Sequence, residues 1–249
     1  FFFKQKTAYE IPLWSRGLGD VYKRQWKNKV MPTELSRRLT AEFVGTFFLL
    51  LAVVGSGIMA ENLSEDVGIQ LLANSFATAG ALTCLILTFG RVSGAQFNPV
   101  VTLWARLEGD LDNKTALSYV AVQTAGGILG VIAANIIFEL DAIHWSTKDR
   151  SDPSLWLSEI IATFGLVMVI IGVVRSRKDH WVAISVAAYI AGAYFFTSST
   201  SFANPAVTVA RTFSDTFAGI NPANAPMFIL CQFIGCLLAV AVMRVTHPK

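Results

Sequence analysis

Two apolar stretches in this chain are too short to cross a membrane, yet they lie among six that are long enough. That combination restricts the fold more than any other feature. The long segments run over roughly 38–60, 67–89, 115–139, 155–174, 180–199 and 226–244. Each offers about 20 residues, which at 1.5 Å per residue crosses a ~30 Å hydrocarbon layer. The short ones run from Asn98 to Leu107 and from Asn204 to Phe213. About ten helical residues reach only ~15 Å, half the membrane. Each follows a run of small and polar residues, Val92-Ser93-Gly94-Ala95-Gln96 before the first and Thr197 to Ser201 before the second. Non-helical backbone at membrane depth is tolerated only where it is buried in protein or lines a wet cavity. The expected fold is therefore an all-α membrane protein, six transmembrane helices plus two re-entrant half-helices, with an aqueous path between the halves.

Composition agrees. Of 249 residues, 53% are hydrophobic and 15% charged, against about 25% charged in soluble domains. The net charge is only +3, and the basic residues gather near segment ends, which excludes nucleic-acid binding. Cys84, Cys231 and Cys236 lie in apolar stretches with neither metal nor disulfide spacing. They read as buried free thiols, and no metal or cofactor is expected. Residues 1–25 show no helical or strand period and no cleavable signal layout. The run FFFKQKTAYEI…GLGDVYKRQ resembles translated adapter read-through, and Met31 reads as a natural start. The leader is set aside as non-native, leaving 26–249 as one channel domain.

Lys and Arg orient the spans. Arg37 and Arg38 precede the first, Arg175, Arg177 and Lys178 fill the fourth connection, and Arg244 and Lys249 are in the tail, whereas the connection from Glu61 to Asp66 has none. Both termini are expected in the cytoplasm of a multi-pass inner (plasma) membrane protein. The first half-helix then enters from inside and the second from outside.

The chain also repeats itself. Glu42-Phe-Val-Gly-Thr46-Phe47 recurs as Glu159-Ile-Ile-Ala-Thr163-Phe164, Asn98-Pro-Val-Val-Thr102 as Asn204-Pro-Ala-Val-Thr208, and Gln123-Thr-Ala-Gly126 as Gln232-Phe-Ile-Gly235. The matches keep their order at offsets of 117, 106 and 109 residues, so the chain is a duplication, with copies over about 35–140 and 153–246. Each copy holds three spans, an odd number, so the second sits inverted. Inverted repeats place the working site at the midplane where broken helices meet.

Asn-Pro suits that meeting point. Asn caps a helix by accepting a first-turn N–H on its side-chain oxygen, and Pro fits the first helical position. The Asn98 and Asn204 amide NH2 groups are then left to face a pore, where both helix dipoles point their positive ends. Such a field repels cations and interrupts a proton-conducting water chain. Glu42 and Glu159 are charges inside spans. A proton relay is one reading, and a buried carboxylate accepting loop N–H groups is the preferred one.

AEFVGT, SGAQFNPVVT, the Gln123 segment, SEIIATFG and NPAVT together resemble the major intrinsic proteins, the aquaporins and aquaglyceroporins, over residues 35–246. The resemblance implies a homotetramer in lipid with one pore per subunit. It implies a pore motif of Asn98, Pro99, Val100, Asn204, Pro205 and Ala206. Pore-lining carbonyls would come from Gly94, Ala95 and Gln96 and from Thr200, Ser201 and Phe202, with Glu42 and Glu159 bracing the loops. Three positions depart from the family pattern: Val100 stands for the usual Ala, Gln96 for a frequent His, and Val207 for the Arg of the narrow outer filter. Arg211, one turn later, could approach the pore mouth, and packing or loop bonding is the preferred role. Counting by family spacing places Thr78, Gly192, Ser201 and Val207 in the filter, a small and uncharged set.

The expected function is a passive channel for water and small uncharged solutes: glycerol, urea and neutral metalloid hydroxides such as arsenous acid or its methylated form. The Val207 pattern resembles bacterial members associated with arsenic resistance. A water-selective pore and an ion-coupled transporter are the competing readings, and the second lacks an ionisable group in the mid-membrane motifs. A non-conducting structural member of the fold would need an interaction tail that the termini do not offer. An enzyme is not expected. His144, His180 and His247 lie in connections and tail, and none pairs with a nucleophile.

Overall fold

The computed structural model describes residues 35–248; the leader and Met31 lie outside them. Eight α-helices follow in order: α1 Leu35–Leu63, α2 Val67–Ser93, α3 Pro99–Glu108, α4 Asn113–Ile137, α5 Pro153–Arg175, α6 Val182–Phe196, α7 Pro205–Ala210 and α8 Ala225–Thr246. Short 3-10 turns, Asp179–Trp181 and Arg211–Phe213, precede α6 and extend α7. No strand occurs among the described residues.

Local chemistry sets the boundaries. Asp66 caps α2 by accepting from the Gly68 and Ile69 N–H groups, and Asp112 caps α4 through Thr115. Gly94 and Gly109 follow α2 and α3 with φ of +93° and +90°, the left-handed stop that glycine adopts without strain. Helices α1, α2, α4, α5 and α8 are long and apolar enough to cross a membrane. The remaining long segment, 180–199, is shorter than its sequence suggests. Helix α6 has 15 residues because the chain leaves the helix at Thr197 to reach Glu159. With its leading 3-10 turn it still covers roughly 28 Å.

The packing repeats the duplication. Helix α1 lies against α2 and α4, and α5 lies against α6 and α8, while α2 against α6 joins the copies. The half-helices α3 and α7 touch each other, and each is held by both α4 and α8. The recurring glycines explain how closely α1 and α4, and α5 and α8, approach. A Cβ on Gly126 would lie 2.4 Å from the Phe43 carbonyl oxygen, and one on Gly235 2.4 Å from that of Ile160. No side chain fits at either crossing.

Polarity is distributed as a membrane requires. Phe76, Leu87, Leu117 and Val245 face outward, whereas Glu42, Gln123, Glu159 and Gln232 are wholly buried. Lipid accepts the apolar exterior, and the polar interior must be satisfied within the protein.

Candidate functional site

The site is built from two approach loops, Ser93–Asn98 and Ser199–Asn204, each feeding a half-helix. They adopt the same backbone. Positive φ occurs at Gly94, Ala95 and Phe97 in one and at Thr200, Ser201 and Ala203 in the other, each pair 106 residues apart. Five of these six are not glycine, and a left-handed conformation costs about 1–2 kcal/mol for each such residue. A compensating interaction is required, and the buried glutamates supply it.

Glu42 accepts from the Ser93 hydroxyl at 2.5 Å, the Gln96 N–H at 3.0 Å, the Phe97 N–H at 2.7 Å and the Gln123 amide at 2.8 Å. Glu159 accepts from Ser199 at 2.6 Å, the Phe202 N–H at 3.0 Å, the Ala203 N–H at 2.9 Å and Gln232 at 2.6 Å. Gln123 and Gln232 then reach on to the Thr102 and Thr208 hydroxyls of the half-helices. Hydrogen bonds to a charged acceptor contribute about 1.5–3 kcal/mol each, so four per carboxylate exceed the loop strain. Four partners also leave little room for proton transfer.

The two loops are tied crosswise. Asn98 accepts the Val100 N–H on its side-chain oxygen and donates its amide to the Ala203 carbonyl at 2.8 Å. Asn204 accepts from Ala206 and Val207 and donates to the Phe97 carbonyl at 2.8 Å. The sequence suggests amides wholly free for a pore. The structure commits one N–H of each to the opposite loop, because the Ala203 and Phe97 carbonyls have no other partner there. One N–H of each Asn remains. Pro99 and Pro205 take the first helical positions, and Val100 and Ala206 are fully buried at the contact between halves. Val100 presents its carbonyl to the Cys236 thiol at 3.3 Å.

With the loop N–H groups turned to the glutamates, the other side of each loop carries oxygens. Among the described residues, none of the carbonyls of Gly94, Ala95, Gln96, Thr200, Ser201 and Phe202 accepts a hydrogen bond from the protein. Unpaired carbonyls at this depth call for water or solute as the partner. The Gln96 side chain accepts from Thr102 and is thereby drawn back to its own half-helix.

The four residues expected in the filter are not all brought together. Thr78, Ser201 and Val207 are buried. Gly192 is exposed, with Phe196 its nearest neighbour. The residue of α6 that meets Thr78 is Tyr194, hydroxyl to hydroxyl at 3.1 Å. Tyr194 is buried, and its hydroxyl lies on the same side of α6 as Thr78.

Arg211 stands at the start of the 3-10 turn, buried, with Nε donating to the Ala218 carbonyl and the guanidinium 3.5 Å from the centre of the Phe202 ring. Packing and loop bonding both describe it. Sequence reasoning missed Arg150, which is also buried. Its side chain donates to the Gly219 carbonyl at 2.9 Å and the Ser199 carbonyl at 3.3 Å, and it lies 4.9 Å from the same ring. Burial lowers its pKa to about 10, so it stays protonated at neutral pH. It sits in an irregular connection with no copy in the first repeat, and no sequence signal marked it.

Comparison with known proteins agrees with this geometry. The family model for major intrinsic proteins matches residues 29–191. The chain is 45% identical over 213 residues to aquaglyceroporin AqpS of Rhizobium meliloti (strain 1021), covering 85% of this chain and 90% of that one. It is 30% identical over 151 residues to aquaporin NIP1-2 of Arabidopsis thaliana, 57% of this chain and 51% of that one. The X-ray structure of the aquaglyceroporin from Plasmodium falciparum superposes with a TM-score of 0.68 at 20% identity, covering 84% of this chain and 96% of that one, a likeness of fold. Two half-helices capped by Asn-Pro, bonded crosswise inside an inverted repeat, are thus the core of a multi-pass membrane protein, and the chain belongs to the major intrinsic protein family.

Proposed function

We propose that this chain is a passive channel for water and small uncharged solutes, glycerol among them. The observation that carries the reading is the crosswise Asn98–Ala203 and Asn204–Phe97 pair. It leaves one amide N–H from each half at the junction, with three unpaired carbonyls on either side. A polyol or water can exchange its hydrogen bonds along such a file without binding tightly. Nothing ionisable sits at the junction, which favours a channel over an ion-coupled transporter. The AqpS relationship supports solutes larger than water.

The outer filter in this reading comprises Thr78, Ser201 and Val207, with Tyr194 in place of Gly192. Val207 supplies no charge and no donor, so the opening is wider and less polar than one closed by Arg. Urea and neutral metalloid hydroxides, arsenous acid and its methylated form, are the further solutes we assign to it. The subunits form a homotetramer with one pore each, both termini cytoplasmic in the inner membrane. Stopped-flow light scattering of proteoliposomes tests the reading. Water and glycerol permeabilities well above protein-free vesicles, and arsenite uptake without a proton gradient, are expected. Water flux alone would reduce the protein to a water channel.

A further inference from the structure

Arg150 and Arg211 have no part in the proposed path so far. Both are buried, both lean on the Phe202 ring, and every hydrogen bond of their side chains runs to a neutral carbonyl. Among the described residues neither is in an ion pair; the salt bridge found there joins Arg175 to Glu108. The acid near enough to interact electrostatically with both is Glu159, and its two oxygens are already taken by Ser199, Phe202, Ala203 and Gln232. Two buried cations against one carboxylate leave the outer approach loop with a net positive charge. The ring lessens their mutual repulsion, since a cation over an aromatic face is stabilised by its quadrupole. The inner loop has no equivalent: 106 residues earlier, Phe202 and Arg211 correspond to Gln96 and Ala105.

Arg211 is also close to the path. It lies one helical turn beyond Val207, to whose carbonyl its own backbone N–H donates, and Phe202 presents one of the unpaired carbonyls. A fixed charge in a water-poor surrounding acts on ions over several ångströms with little screening. Neutral solutes do not feel it to first order.

We propose that Arg150 and Arg211, gathered on Phe202, form a cationic collar behind the outer approach loop that excludes protons and metal cations from the pore. The collar adds to the positive half-helix ends at the centre, which act in a different place. The proposal rests on the channel reading above, and the test separates the two.

Proteoliposomes of wild type, Arg211→Met and Arg211→Lys are loaded with a pH-sensitive dye. Proton leak is read under an imposed potassium diffusion potential, and glycerol swelling is read on the same vesicles. Arg211→Met is expected to raise proton leak about tenfold or more, the scale of one unit charge at this depth, with glycerol permeability within about twofold of wild type. Arg211→Lys keeps the charge and is expected to leak as wild type does. Arg211→Gln replaces the Met variant if that variant does not elute as wild type. Unchanged leak in a glycerol-conducting Met or Gln variant would overturn the collar, as would equal leak in Lys and Met, which would make the residue a packing element. Absent glycerol flux in wild type would instead overturn the channel reading.

Discussion

Replacing Glu159 with Gln isolates what the buried carboxylate contributes, because shape and volume hardly change. One oxygen accepts from Ser199 and Phe202, the other from Ala203 and Gln232. Whichever becomes an amide, two donors then face a donor. Each lost bond to a charged acceptor is about 1.5–3 kcal/mol, so the pair amounts to roughly 3–6 kcal/mol before relaxation. At about 2–4 °C per kcal/mol for a chain of this size, the apparent melting temperature in detergent should fall by roughly 6–24 °C. Glycerol flux should fall with it, since Ser199, Phe202 and Ala203, which tether the left-handed loop to Glu159, lose part of that hold. The swap Glu159→Gln with Gln232→Glu returns a carboxylate to the same cluster and should recover part of the loss, a coupling that a double-mutant cycle measures. A Glu159→Gln melting temperature within 2 °C of wild type, with full flux, would refute the reasoning and reopen a transport role for the acid.

Other changes test the remaining claims. Gly126→Ala should cost about 1–3 kcal/mol of stability, because its Cβ would meet the Phe43 carbonyl oxygen at 2.4 Å. Gly192→Ala should be near neutral in melting and in glycerol-to-water flux ratio, since its Cβ meets Phe196 only at 3.6 Å; a changed ratio would return Gly192 to the filter. Val207→Arg should reduce glycerol flux more than water flux in stopped-flow measurements. Asp215 is held by the Thr147 N–H, the Thr147 hydroxyl and Ser146. Burial opposes its ionisation, but these bonds outweigh it and lower its pKa. A lowered folded pKa gives stability that is complete above the ordinary carboxylate pKa of about 3.9 and is lost as pH falls through the folded value. Asp215→Asn should therefore flatten the acid limb of melting temperature against pH.

Span count, duplication and paired half-helices were legible because each is a regular quantity written several times along the chain. Apolar length marks helices, Asn-Pro marks two half-helix starts, and Glu42 and Glu159 recur in register. Fine rotation was not legible. Helix α6 ends at Phe196, while α2 runs on to Ser93, two positions at different distances from their Asn-Pro motifs. The residue of α6 that hydrogen-bonds Thr78 is Tyr194, a contact that a count from the Asn-Pro motif does not reveal. Nor could sequence show that each Asn spends one N–H across the junction, since the acceptors Ala203 and Phe97 depend on loop backbones that only the glutamates fix.

The duplication also explains which positions of this protein are free to change. The glutamate clusters, loop backbones and crosswise amides each exist twice and restrain one another: changing one loop displaces the carbonyl that the other needs. Arg211 belongs to the outer copy alone, with Ala105 at the corresponding inner position, and Arg150 comes from a connection that neither repeat shares. No paired constraint acts on them. A charge can therefore be absent at Val207 and present at Arg150 and Arg211 without disturbing the Asn98–Asn204 junction. On the proposed reading, solute choice and ion exclusion are separable: the first would follow the side chain at Val207, the second the guanidiniums on Phe202.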